Sequence, residues 1–116
     1  MPKHSDGTGG ALDGVFHALS DPTRRQVVER LAQGPATTSD LARPFDMALP
    51  SFTQHLHVLE RAGLVTSEKT GRVRTYRLVP QPLDHLDTWL AAQRTLWTRR
   101  LDQLDALLYD LKEQQQ

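Results

Sequence analysis

Residues 50–79 read PSFTQHLHVLERAGLVTSEKTGRVRTYRLV, and the change of rhythm at Gly63 decides the fold. Before it, Phe52, Leu56 and Leu59 recur at i, i+4 and i+7, the spacing of one buried helix face, which predicts a helix over 50–62. Pro50 suits its first turn and Gly63 its C-terminal cap. After Gly63 the period shortens to two. The runs 64–68 and 72–79 are rich in Val, Thr, Tyr and Leu and flank Lys69-Thr70-Gly71, so they predict a β-hairpin in which Gly71 takes a positive φ.

Upstream, Leu12, Val15, Phe16 and Leu19 fall at helical spacing until Ser20-Asp21-Pro22 ends that helix and starts the next. Asp21 is a good N-cap and Pro22 a good first helical residue. The second helix turns Val27, Val28 and Leu31 inward and stops at Gly34-Pro35. A very short helix follows, opened by a capping pair, Thr37 and Asp40, and limited by Pro44 and Asp46. A few residues separate it from the helix over 50–62, which makes a helix-turn-helix. With the hairpin behind it, the predicted architecture is α+β, mainly α: a winged helix-turn-helix of order α-α-α-α-β-β-α.

Downstream of Pro80 and Pro82, Leu83, Leu90, Trp97, Leu104 and Leu111 recur every seven residues with no Gly or Pro, which predicts one long helix to about residue 113. Leu86 and Leu107, with Leu101 and Leu108 on the adjoining row, widen the stripe, and Gln93, Arg94 and Arg100 interrupt it. So long a helix overhangs so small a domain, and its apolar stripe is a candidate homodimer seam.

The 116 residues allow one core, so a single domain is expected over 11–113, behind a flexible tail over 1–10 that has nothing to bury. No apolar run approaches the roughly 20 residues that span a bilayer, and the N-terminus lacks the apolar core of a secretory signal. The absence of cysteine removes disulfides and thiolate metal sites. These features point to the cytoplasm and away from membranes. The net charge of zero hides an uneven distribution, because residues 43–80 carry six cations against three anions. An anionic partner would be met there.

On the helix over 50–62 the outward side carries Ser51, Thr53, Gln54, His57 and Arg61, none of them acidic. Such side chains hydrogen-bond base edges or phosphates, and glutamine suits the donor and acceptor pair of adenine in the major groove. His55 is a further candidate that borders the core face. Arg72 and Arg74 on the hairpin can reach backbone phosphates or a minor groove, and Thr37 or Thr38 at a helix N-terminus can fix a phosphate. The candidate partner is double-stranded DNA.

The strings Asp21-Pro22-Thr23-Arg24, then 54–65 (QHLHVLERAGLV), then 71–78 (GRVRTYRL) resemble the ArsR/SmtB family of bacterial transcriptional repressors. The resemblance runs over about residues 11–110. It implies a homodimer whose interface uses Leu12, Val15 and Phe16 of the first helix and Leu83, Leu86, Leu90, Trp97, Leu101, Leu104 and Leu108 of the last. It also implies that the helix over 50–62 reads an inverted-repeat operator, that the hairpin is the wing, and that repression follows from occluding a promoter. An effector, small molecule or protein, is left unidentified.

The metal sites of that family need ligands that this sequence does not supply. Thr38 to Phe45 carries neither the Cys-x-Cys pair of one sensor site nor a histidine, and Asp84, His85 and Asp87 are followed by Leu96, Trp97, Thr98 and Arg99 where a second ligand pair is needed. His55 and His57, two apart on a helix, point about 200° apart. No metal site and no cofactor is expected. Nor is enzymatic activity, since no phosphate-cradling loop or nucleophile motif is present. The competing reading is a protein-interaction module that uses the long helix and binds no specific DNA.

Overall fold

The computed structural model describes residues 7–115. Five helices and three strands follow in the order α1 (Gly7–Leu19), α2 (Pro22–Leu31), β1 (Ala36–Thr37), α3 (Thr38–Ala42), α4 (Leu49–Arg61), β2 (Val65–Thr70), β3 (Val73–Leu78) and α5 (Gln81–Gln114). By packing, the chain divides after His85 into two compact units, a winged-helix unit and a second unit made of the remainder of α5. No helix among the described residues is long and apolar enough to cross a membrane.

The local signals explain most boundaries. Asp21 sits at φ −107° and ψ 133° and accepts the Arg24 backbone N–H at 3.2 Å, which caps α2, with a proline in its first turn. Thr37 caps α3 in the same way through the Asp40 N–H at 3.2 Å. At the end of α4, Gly63 takes φ +78°; its N–H donates to Glu60 O and the Leu64 N–H to Leu59 O, both at 3.0 Å. That paired bonding satisfies two carbonyls the helix leaves open, and only glycine adopts this φ without strain.

Several boundaries differ from expectation, among them the start of α5, which begins at Gln81 and takes Pro82 into its first turn rather than starting downstream of it. Helix α1 begins at Gly7, inside the stretch expected as a tail; the rest of that tail lies outside the described residues. Once a helical turn exists, each added residue gains a hydrogen bond, so the packed segment beyond Ala11 carries the helix back over poor helix formers. Helix α4 begins and ends one residue earlier than expected. The hairpin turns on Gly71-Arg72 rather than on Lys69-Thr70-Gly71, because Thr70 pairs with Val73. Gly71 has φ +63° and Arg72 does not share a positive φ, the pattern of a type II′ turn.

Strand β1 was not expected at all. Two residues cannot display a two-residue period; the strand exists because Ala36 pairs with Tyr76 and Thr37 with Thr75 at the free edge of β3. The antiparallel sheet runs β1-β3-β2. Its buried residues Ala36, Val65 and Tyr76 join Val15, Ala18, Val27, Leu31, Leu41, Phe52, Leu56, Leu59 and Leu64 in one core. Each large side chain fully buried there contributes about 1.5–3 kcal/mol of transfer free energy. Phe52 also meets Phe45 with ring centroids 5.4 Å apart, which fastens α4 to the chain that follows α3.

Candidate nucleic-acid interface

Burying Phe52, Leu56 and Leu59 fixes the rotation of α4, and Ser51, Gln54 and His57 are thereby exposed on its other side. Thr53 is half-buried and donates its hydroxyl to Leu49 O at 2.8 Å. Beside this face the hairpin closes a groove of about 480 Å³, lined by Thr37, Thr38, Ser39, Leu49, Thr53, His57, Lys69, Arg72, Val73, Arg74 and Tyr76. Six of the nine candidate DNA contacts thus meet in one concavity: Thr37, Thr38, Thr53, His57, Arg72 and Arg74.

The electrostatics of the groove are one-sided. Three cations and a histidine line it and no carboxylate does. Lys69 and Arg74 stand directly opposite each other across β2 and β3, an arrangement that costs free energy unless an anion lies between or above them. A larger hollow of about 590 Å³ between α2 and α3 is balanced instead, because Glu29 and Asp40 accompany Arg30 and Arg43 there. A polyanion is attracted to the first hollow and finds no such excess of positive charge in the second.

Arg74 is held in place rather than waving in solvent. Its Nη1 donates to Ser67 Oγ at 2.9 Å, and that hydroxyl donates to Glu60 Oε2 of α4, also at 2.9 Å. Tyr76, on the same face of β3 two residues on, forms the groove's buried floor. Burial and then the Glu60 charge push its hydroxyl above the ordinary tyrosine value, partly offset by Arg74 and by hydrogen bonds with Thr38 and Ser67. The phenol is therefore neutral at physiological pH and ties the wing to α3 through Thr38.

His55 departs from the group. Its side chain turns inward, 23% exposed, with Nδ1 3.0 Å from Arg24 Nη1 and 3.8 Å from Asp21 Oδ2. It lines no part of the groove and is engaged within the subunit, for a reason no local pattern carries: its partner is thirty-one residues away in sequence. Asp21 feels the same cluster. Desolvation by burial raises its carboxyl, but the Arg24 N–H, the His55 ring, the Thr23 N–H and the Arg24 charge outweigh that and hold it below the usual carboxylate range. Sequence reasoning missed Ser39 as a groove residue, since it belongs to neither a basic run nor an outward stripe. Tyr76 was recoverable from strand alternation with Arg74.

A helix-turn-helix domain model matches residues 19–68. The HTH-type transcriptional regulator Rv2034 of Mycobacterium tuberculosis is 44% identical over 93 residues, covering 77% of this chain and 80% of that protein. The crystal structure of the ArsR family transcriptional regulator RHA00566 is 49% identical, with a TM-score of 0.75 over 84% of this chain and 97% of the other. This chain belongs to the ArsR/SmtB family. A solution structure of the homodimeric winged helix-turn-helix DNA-binding domain Mb0332 from Mycobacterium bovis, a possible ArsR-family regulator, shares 27% identity, a TM-score of 0.57 and 83% and 94% coverage.

As an ArsR/SmtB winged helix-turn-helix transcriptional regulator, the chain carries α4 as its recognition helix and the β2–β3 hairpin as its wing. The residues expected at a dimer seam separate into three groups. Val15 is 1% exposed and belongs to the subunit's own core, because the inner face of α1 runs through Val15 and Ala18. Leu12, Leu83 and Leu86 are half-buried within the single chain. Phe16, Leu90, Trp97, Leu101, Leu104 and Leu108 are exposed, Trp97 by 62%. Trp89, Leu96, Leu107, Tyr109 and Leu111 of α5 are exposed as well, and no residue of that helix is buried. Among the described residues no three His, Asp or Glu side chains gather as metal ligands, and Asp84, His85 and Asp87 form no such group.

Proposed function

We propose that two copies of this ArsR/SmtB regulator, joined along α5, bind an inverted-repeat operator in the cytoplasm and repress transcription by occluding a promoter. The observation that carries this reading is the groove between α4 and the wing, where Lys69, Arg72, Arg74 and His57 meet threonines without any carboxylate. A protein scaffold has no use for opposed cations at a hairpin tip; a phosphate backbone neutralises them.

The roles divide by reach. Gln54 and Ser51, exposed on α4, meet base edges in the major groove, with His57 between base and phosphate. Arg72 and Arg74 hold the backbone, and Thr38 beside the cap of α3 adds a phosphate contact. His55 is left out of this set. A row of large apolar side chains along α5, which a soluble monomer would not leave bare, is covered by the second copy, as the homodimeric relative supports. Two-fold symmetry then sets two recognition helices about 34 Å apart, one turn of duplex.

The test is a fluorescence-anisotropy titration of the purified protein against its own upstream promoter DNA and a shuffled duplex at several salt concentrations. Binding as one dimer, with a promoter preference of ~10³ or more and a steep salt slope, is the expected result. Failure to bind either duplex at low salt overturns it and returns α5 to the protein-interaction reading.

A further inference from the structure

Arg24 is 9% exposed and spends its guanidinium on two other helices. Its Nε donates to Ala18 O at 2.7 Å and its Nη2 to His17 O at 3.2 Å, closing the C-terminal end of α1. Its Nη1 lies 3.0 Å from Nδ1 of His55 on α4. A guanidinium can only donate, so Nδ1 is the acceptor and carries no proton. A carboxylate also stands beside that ring, Asp21 at the cap of α2, with Oδ2 3.8 Å from the same nitrogen. From α1 the groups presented to Arg24 are carbonyls, and one turn away on α4 stand Ser51, Phe52, Val58 and Leu59, none of them charged.

Resting on the DNA-binding reading, we propose that His55 is a positioning residue, whose bare Nδ1 holds α4 to Arg24 at the angle that presents Gln54 and His57, and whose protonation exchanges Arg24 for Asp21. The two partners ask for opposite states of one nitrogen. Unprotonated, it accepts from Arg24; protonated, it is repelled by the guanidinium and donates to the carboxylate. The exchange strips Arg24 of its contact with α4. The buried face fixes the rotation of α4 about its own axis, so what the contact at His55 sets is the tilt of α4 against α2, and Gln54 and His57 follow that tilt. Promoter preference is therefore proton-dependent through a residue that never touches DNA.

The sharpest test replaces His55 by asparagine, whose Oδ1 stands as many bonds from Cα as Nδ1 does and accepts at every pH. Promoter preference over the shuffled duplex is measured for wild type and His55→Asn from about pH 7.5 to about pH 5.5, where imidazoles titrate. His57 is present in both proteins, so its contribution cancels in the ratio, and reading preference removes the sequence-independent gain from added positive charge.

At pH 7.5 the two proteins are expected to agree within about twofold, while His55→Leu, which offers no acceptor, loses roughly tenfold. On acidification the preference of wild type falls severalfold below that of His55→Asn. Parallel profiles for wild type and His55→Asn overturn the proposal, whatever His55→Leu does to folding. A purely structural role lowers the melting temperature of both variants without separating the profiles. A wild type that shows no promoter preference at any pH overturns the DNA-binding reading and this proposal with it, whereas preference with parallel profiles overturns this proposal alone.

Discussion

Gln54 and Arg74 occupy opposite sides of the same problem, one exposed on the recognition helix and one anchored through Ser67 on the wing. Gln54→Ala is expected to relax base discrimination by ~1–3 kcal/mol at one position of the operator. Arg74→Ala is expected to weaken all duplexes alike and lower the salt slope by about one. Anisotropy titrations against operator variants decide between them; a uniform loss from both would mean that α4 does not read bases. Asp21 carries a second prediction. Its carboxyl is held below the usual carboxylate range, so its charge stabilises the fold at neutral pH, and that contribution is lost as pH falls through and beneath that range. Asp21→Asn keeps a capping oxygen without the charge. The gap in urea midpoint between wild type and Asp21→Asn is therefore expected to persist at neutral pH and to shrink progressively once the pH falls below about 5. Asp21, Gly63 and Gly71 were legible because a cap or turn is written within a few residues. His55 and Val15 were not, since their orientation depends on Arg24 and on the packing of α1 against distant chain.

The wing and the recognition helix act as one element pair, because Ser67 links Arg74 of β3 to Glu60 of α4. Ser67→Ala removes the shared hydroxyl and leaves Glu60 and the floor hydroxyl of Tyr76 short of a partner. A cost of about 1 kcal/mol is expected, a fall of roughly 4–8 °C in a thermal melt of a unit this size. Wing mobility is expected to rise with it, seen as faster amide exchange across the Glu68–Thr75 and Lys69–Arg74 pairs. An unchanged melt would show that water replaces the hydroxyl at no cost. The hairpin, α2 and α4 were readable because each repeats its period several times and is punctuated by Pro or Gly. Strand β1 was not, because its two residues are strand only by virtue of the β3 edge they pair with. The same reasoning explains the groove: its charged rim lay in the basic run of the sequence, whereas Ser39 joins it only once α3 and α4 are packed.

At the scale of the molecule the long helix sets the largest question. Its 34 residues rise about 51 Å, and it buries none of them within the single chain, although Leu90, Trp97, Leu101, Leu104 and Leu108 repeat along it. A row of that length can be satisfied by a second identical row lying against it, and the dimer so formed joins two half-site readers. Joining matters energetically, because once one recognition helix is bound the other meets its half-site at a high effective concentration, which raises avidity by ~10²–10⁴ over a single unit. Leu101→Glu combined with Leu108→Glu places two charges one heptad apart on that row. The double variant is expected to sediment as a monomer, to keep the melt of the winged-helix unit, whose core lies elsewhere, and to lose ~10² or more in operator affinity. A variant that remains dimeric would place the seam off this row. A monomer that binds the operator as tightly as wild type would mean that one copy suffices, and the inverted repeat would then have no role in recognition.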